Sequence, residues 1–389
     1  MTAELAASLK RIQLVALVIG VLGIAATAAG GLAQPRQFFF SYLFAYLFWL
    51  GLTLGCFAVA MIHQLTGGRW GYPTRRFLEA GYLALPLMLV LLVPVLGGLS
   101  QLYPWARGAE VAADKVLQHR HVYQNSGAYV ARQLIIFAVF SGMAFGLRKW
   151  SLQQDATNDA APTRRARTLS GVGLVVYGLL GTFGSIDWIL SLEKHWHSTM
   201  FGVIVLSGQI LTAFAFLVLM LALFRHTPPV AAALQPTQWH QLGNLLLAFV
   251  MFWTYVGFGQ LLIIYSGDLP HELSWYLHRI AGDWRYVIGA IALLHFFVPF
   301  ILLLFRAVKR SVPALTALAA LLFVAHMVDA YWLVMPALHM EGLAVSWMDF
   351  IAPIGIGGLW IAHFIWRLKA APLVPRNDPG LQFAFAYGH

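Results

Sequence analysis

Residues 38–63 read FFFSYLFAYLFWLGLTLGCFAVAMIH, and the run passes without one Lys, Arg, Asp or Glu. A helix that crosses a bilayer needs about 20 mostly apolar residues. No strand of a soluble protein runs this long, and a soluble surface helix would break the run with charge on one face. The stretch is therefore read as a transmembrane helix, and the rest of the chain repeats its pattern. Similar apolar runs occupy 12–33, 77–99, 126–148, 168–192, 198–224, 241–266, 284–305, 313–335 and 347–367. Together they predict an all-α polytopic membrane protein with about ten spans. Lys10 and Arg11 ahead of the first run give it the look of a signal peptide, but it is read here as a retained anchor.

Composition agrees. Of 389 residues, 60% are hydrophobic and 10% are charged, against about 25% charged in an ordinary soluble domain. The formal net charge is +10, yet the basic residues are scattered through short loops with no basic stripe, which argues against nucleic-acid binding. The single cysteine, Cys56, lies within the first quoted run, so neither an internal disulfide nor a Cys-rich metal motif can form in this chain. No loop is long enough for an independent soluble core, and the residues from 368 to 389 read as a short extramembrane tail.

With ten spans both termini share one side. That side collects most of the 25 Lys and Arg residues, including Lys10, Arg11, Arg69, Arg75, Arg76, Arg148, Lys149, Arg306, Lys309 and Arg310. Basic loops stay in the cytoplasm, so both termini are expected there.

Ionisable groups within spans cost about 2.5–3.5 kcal/mol each on insertion scales and need a reason. Helix 9 carries His326 and Asp329, three positions apart and so on one helix face. Helix 8 carries His295, helix 4 carries Arg132, helix 5 carries Asp187, and Glu79 begins helix 3 beside Arg75 and Arg76. Residues 181–202, GTFGSIDWILSLEKHWHSTMFG, concentrate more: if helix 5 continued past its apolar run, Asp187, Ser191 and Lys194 would form one polar stripe. Glu193, His195 and His197 would cluster above it. Residues 267–283 add Asp268, His271, Glu272, His278 and Asp283 on the same outer side, and His339 and Glu341 follow helix 9. Buried histidine and carboxylate near one another suit proton transfer; the competing reading is hydrogen-bonded packing and, for the outer groups, a solvated loop. A metal held by Glu193, His195 and His197 is possible by ligand type, but their spacing is not diagnostic. His295, His326 and His363 are single on their helices, without the paired pattern of haem ligation.

Several motifs stand in a specific order. They are YLFAYLFWLGLTLG at 42–55, LTGGRWGYPTRRFLEAG at 65–81, HRHVYQNSGAYVAR at 119–132, the stretch 181–202, GQLLIIYSGDLPHELSWYLHR at 259–279 and VDAYWLVMPALH at 328–339. From helix 2 to helix 10 the chain resembles the F-type membrane component of alternative complex III, a bacterial quinol:cytochrome c oxidoreductase. It departs from that pattern at Tyr265, Asp268 and His271, where relatives tend to carry Trp, Asn and Glu.

The resemblance implies two antiparallel four-helix bundles, helices 2–5 and 6–9, flanked by helices 1 and 10. It implies partners: a homologous membrane subunit, a periplasmic iron–sulfur subunit and haem c subunits. The redox cofactors belong to those partners and none to this chain, which supports proton release or translocation and has quinone contact as a further role. The expected relay is Asp187, His326, Asp329, Gln260 and Tyr265 converging on one water-accessible cavity. Glu193, His195 and Glu272 lie at its outer mouth, and His295 and Glu79 lie further in. Arg132 is expected to balance a buried carboxylate or to donate to a quinone carbonyl. Two rival readings are a structural scaffold that docks the redox subunits and a stand-alone secondary transporter.

Overall fold

A computed structural model describes residues 2–157 and 159–378, apart from the side chains of residues 270 and 271. Among the described residues, ten helices are long and apolar enough to span a bilayer. They are α1 (Ala3–Ala33), α2 (Pro35–Thr66), α3 (Gly71–Gly97), α4 (Ser126–Ala156), α5 (Ala161–Leu192), α6 (Phe201–Phe224), α7 (Pro236–Gly267), α8 (Trp284–Leu304), α9 (Val312–Ala337) and α10 (Met348–Lys369). The chain is an all-α polytopic membrane protein.

Several helices outrun the apolar segments that announce them. The helix α1 begins at Ala3, not at 12, with Thr2 as its cap, and α4 continues past Arg148 to Ala156. Polar residues are welcome on those extra turns because the turns lie beyond the hydrocarbon. The start of α4 is fixed by Asn125, whose Oδ1 accepts the Ala128 N–H at 2.9 Å, as an N-cap should. Gln235 and Gln238 form a reciprocal capping box at the start of α7.

Prolines interrupt α3 and α8 within their length. In α3 the helical ladder breaks after Tyr82 and again at Leu92. Pro86 and Pro94 lack an N–H, and their rings would strike the carbonyls four residues back. In α8 the turn Ala292–Phe297 widens to a π-helix. Pro299 follows it, and the carbonyl its ring would strike is that of His295; the wider turn removes the collision.

The packing forms two closed rings of four helices. Contacts run α2–α3–α4–α5 and back to α2, then α6–α7–α8–α9 and back to α6. The rings join where α2 and α5 meet α6 and where α2 meets α9. Outside them α10 lies on α2 and α3, and α1 lies antiparallel on α10. That outer pair approaches closely because glycines face each other: a Cβ on Gly23 would stand 2.7 Å from the Cα of Gly355. Small residues allow such backbone contact in place of a hydrophobic driving force that lipid does not supply.

Burial is uneven. The most apolar window of α2 is 100% buried within the protein, whereas those of α1, α7 and α8 are 22% buried. The uncharged run 38–63 is thus the central post, and the peripheral helices α1, α7 and α8 turn most of their apolar surface outward.

The tail is not a free extension over its described part. After α10 residues 370–378 turn back onto the ends of α3 and α4, with Leu373 and Asp378 buried. Residues 379–389 of the expected tail lie outside the described residues.

Candidate functional site

The polar centre of the molecule lies where the two rings meet. His326 and Asp329 of α9 share a face, as their spacing requires, with Nδ1 and Oδ2 3.5 Å apart. That contact is too long for good hydrogen bonding, and His326 Nδ1 has no hydrogen-bond partner among the described residues. The π turn of α8 carries His295 into the same region. Its ring lies roughly parallel to that of His326 at 30°, with centroids 5.6 Å apart, and meets the edge of Trp253 of α7 at 4.3 Å. His295 is completely buried, and neither ring nitrogen finds a partner among the described residues.

Beside this group is a small cavity of about 30 Å³, lined by Phe48 and Gly51 of α2, Trp188 and Ile189 of α5, Gln209 of α6, and His326 and Asp329. Gly208 makes room for the histidine: a Cβ there would fall 2.5 Å from His326 Cε1. Gln209 is held in place by Tyr177, whose hydroxyl donates to Oε1 at 2.8 Å. A buried water needs roughly 10–15 Å³ of such space, so the cavity has room for one or two. Ligand pockets for organic molecules run to about 300–1,000 Å³. Water fits here and a quinone ring does not.

Asp187 does not join this cavity. Successive residues on a helix are turned by about 100°. Trp188 and Ile189 thus face the cavity while Asp187 faces α4. There Arg132 grips it with two hydrogen bonds of 2.8 Å, from Nε and Nη2, and Gln133 Nε2 adds a third at 3.1 Å. Gln133 in turn accepts the Trp188 indole N–H at 2.7 Å. Arg132 also donates to the Tyr123 carbonyl at 2.7 Å and stacks over the Tyr123 ring at 3.8 Å. The expected counter-charge role of Arg132 is what the geometry has, and it consumes Asp187. The expected convergence of Asp187 and Asp329 on one cavity is therefore overturned.

The groups of 190–197 also stay out of the central cavity, and Glu193, Lys194, His195 and His278 instead line a separate open pocket of about 400 Å³. Regular α-helix ends at Trp188, and Leu190–Leu192 is a 3-10 turn, so the stripe Asp187–Ser191–Lys194 never forms. Ser191 donates to the Asp187 carbonyl and Lys194 reaches Glu110 at 2.5 Å. His195 meets Asp114 at 2.6 Å on the exposed loop. That hydrogen bond holds the Asp114 carboxyl below its usual range. Glu193 pairs with Arg279 at 3.0 Å, so Glu193 and His195 turn to different partners and do not share a metal.

Gln260 accepts from Ser198 at 2.5 Å and donates to the Tyr276 hydroxyl at 3.0 Å, away from the cavity. Tyr265 is 74% exposed on the rim of α7, where the helix turns it outward. It is no part of a buried relay. Glu272 contributes its backbone carbonyl, which accepts the Trp196 indole at 3.1 Å. The side chain of His271 lies outside the described residues.

At the other end of the bundle Glu79 is fully engaged. Arg76 at 2.5 Å and Arg148 share its Oε2, and Ser151 donates to Oε1 at 2.5 Å. It sits far from the central cavity.

Two groups escaped the sequence reading. Arg279, which reads as a loop cation, is completely buried: it binds Glu193 and the carbonyls of Trp275 and Leu333, and it stacks on the Trp275 ring at 4.0 Å. It pins the surface helix Pro270–Ile280 to the end of α9. Asp349, which reads as an ordinary acid at the start of α10, accepts from Ser41 at 2.5 Å, Gln37 at 2.9 Å, the Ser346 N–H at 2.9 Å and Tyr331 at 3.3 Å. Gln37 Oε1 continues to His339 at 3.0 Å. The only signal in the sequence was the row of short polar residues Gln37 and Ser41 one helical turn apart.

Comparison with protein-family models and with curated proteins found no match.

Proposed function

We propose that this chain is the membrane subunit of a bacterial quinol-oxidising complex of the alternative complex III type, and that it handles protons at the buried group His295, His326 and Asp329. In this reading it lies in the inner membrane with both termini cytoplasmic. It carries no redox centre of its own and works beside a homologous membrane subunit, a periplasmic iron–sulfur subunit and haem c subunits. The order and spacing of the motifs from 42 to 339 support the family.

One observation carries the proton role. An imidazole pair and a carboxylate, with three ring nitrogens unpartnered among the described residues, adjoin a cavity sized for one or two waters at the junction of two helix rings. Ionisable groups are costly inside a span and are kept where they do something. Here His326, which lines the cavity, can accept or donate through water with His295 stacked behind it, and the Asp329 carboxylate beside it can take the proton on. Quinol oxidation releases protons with its electrons, so a buried water-linked acid and base is the chemistry such a complex requires. The cavity is too small for a quinone ring, so in this reading quinone contact falls to a surface shared with a partner and not to this pocket.

The test is Asp329→Asn and His326→Gln in the purified complex. Quinol oxidation, or the protons released per electron, should fall while the yield of assembled complex holds. Unchanged turnover and unchanged proton release in both variants would remove the group from the mechanism. Lost assembly with normal turnover per assembled complex would favour the scaffold reading, which the saturated ion pairs Arg132–Asp187 and Arg76–Glu79 support for those four residues.

A further inference from the structure

The chain beyond α10 makes a set of contacts that the proton reading does not use. Pro372 and Pro375 stiffen the segment, Leu373 is buried, and Asn377 adopts a left-handed backbone with φ +52°, a conformation that asparagine tolerates better than most residues. That turn aims Asp378 at Arg75, and the two form a buried ion pair. The Arg376 N–H donates to Asp155 Oδ1 at 2.8 Å. Asn377 bonds the Asp155 carbonyl at 3.0 Å, and its own carbonyl accepts from Gln154 at 2.9 Å. Asp155 is also a partner of Arg76, which holds Glu79. The segment is therefore wired directly into the ion cluster at the arginine-rich end.

The segment reaches a second cavity through Arg75; this cavity, of about 10 Å³, is lined among others by His63, Gln64, Arg75, Glu79 and Tyr82. This is room for about one water, next to the buried Glu79 carboxylate. Arg75 is both a wall of the cavity and the anchor of Asp378.

We propose that residues 370–378 form a detachable strap that governs water access from the arginine-rich end to the Glu79 cavity. With the strap seated, Asp378 fixes Arg75 and closes the cavity. With it lifted, Arg75 is free to swing and Glu79 meets bulk water. Lifting it breaks one ion pair and three hydrogen bonds and exposes Leu373. No helix has to move, so the opening is local in the sense that elements with few contacts open without global unfolding. This inference stands apart from the central proton group and survives its failure.

The experiment reads the cavity wall directly. Leu78 lines the cavity and is 1% exposed, so Leu78→Cys places a thiol there. Cys56, completely buried in α2, serves as internal control for general loosening. The full-length protein in detergent is treated with a water-soluble maleimide, and labelling of each cysteine is followed by peptide mass spectrometry. In the Leu78→Cys protein both thiols should label slowly. Adding Asp378→Arg, or ending the chain after Lys369, should speed labelling at position 78 by about tenfold or more and leave Cys56 unchanged. Combining Asp378→Arg with Arg75→Glu should restore protection by reversing the ion pair. Labelling at position 78 that stays at its starting rate in the shortened chain overturns the proposal. So does acceleration of both cysteines together, which would mark the segment as a general stabiliser.

Discussion

Replacing Asp187 separates a strut from a proton carrier. The carboxylate is 1% exposed and accepts three hydrogen bonds, two of them from Arg132. Removing one partner of a buried ion pair costs about 3–5 kcal/mol because the other charge is left behind. Arg132 retains the Tyr123 carbonyl and ring, and its side chain is 19% exposed. It can therefore recover some hydration, and Asp187→Ala should fall near the low end, about 3 kcal/mol. That is a drop of roughly a hundredfold in the folded-to-unfolded ratio. Removing both charges with Arg132→Met and Asp187→Leu should recover most of the loss, since well-packed apolar replacements of buried pairs are often neutral. The assay is reversible unfolding in mixed detergent micelles, with the double-mutant cycle giving the coupling, alongside quinol oxidation per assembled complex as the readout of the proposed function. If Asp187→Ala keeps wild-type stability while turnover or proton release collapses, the structural assignment is wrong and Asp187 belongs to the relay.

Gly208→Ala should displace His326, because the added Cβ would stand 2.5 Å from its ring. Overpacking of this kind costs about 1–3 kcal/mol, read as a lower midpoint in the same unfolding assay, and under the proposed function it should lower proton release as well. Tyr265→Phe should leave stability and turnover unchanged, since the residue is 74% exposed; a measurable fall in turnover would return it to the site. The loop around Glu110 should loosen in acid. Its carboxyl is held below the usual range, chiefly by its hydrogen bond from Lys194 and also by Arg107. A carboxyl lowered in the folded state adds stability above its unfolded value of about 4.3 and loses it as pH falls through the lower folded value. Limited proteolysis within 107–120 should accelerate below about pH 4, and Glu110→Gln should show the fast rate already at neutral pH.

The helices were readable because lipid demands long apolar runs, and a run such as 38–63 admits no other structure. Where the helices stop was harder. The turns of α1 and α4 that project past the hydrocarbon carry polar residues, so hydropathy alone ends them early. The pair His326 and Asp329 was readable because three positions fix a shared face. The partner of Asp187 was not, since Arg132 lies on another helix and the facing depends on one step of helical rotation. The position of His295 depends on the π turn, which shifts the register of every side chain after it. Its cause, Pro299, stands in the sequence, but a proline there signals a break without saying which way the ring will turn. The burial of Arg279 and Asp349 needed the fold, because each draws its partners from segments distant along the chain.

The complete enclosure of α2 bears on how the protein is made. Among the ten described spans this helix is second in chain order, yet its neighbours α5, α6, α9 and α10 are synthesised after it, α10 as the tenth. Until then its aromatic flanks face acyl chains or an insertion factor. Its enclosure therefore waits for α10, the tenth of the described spans, and a nascent chain halted before α10 presents an unsheathed post to membrane quality control.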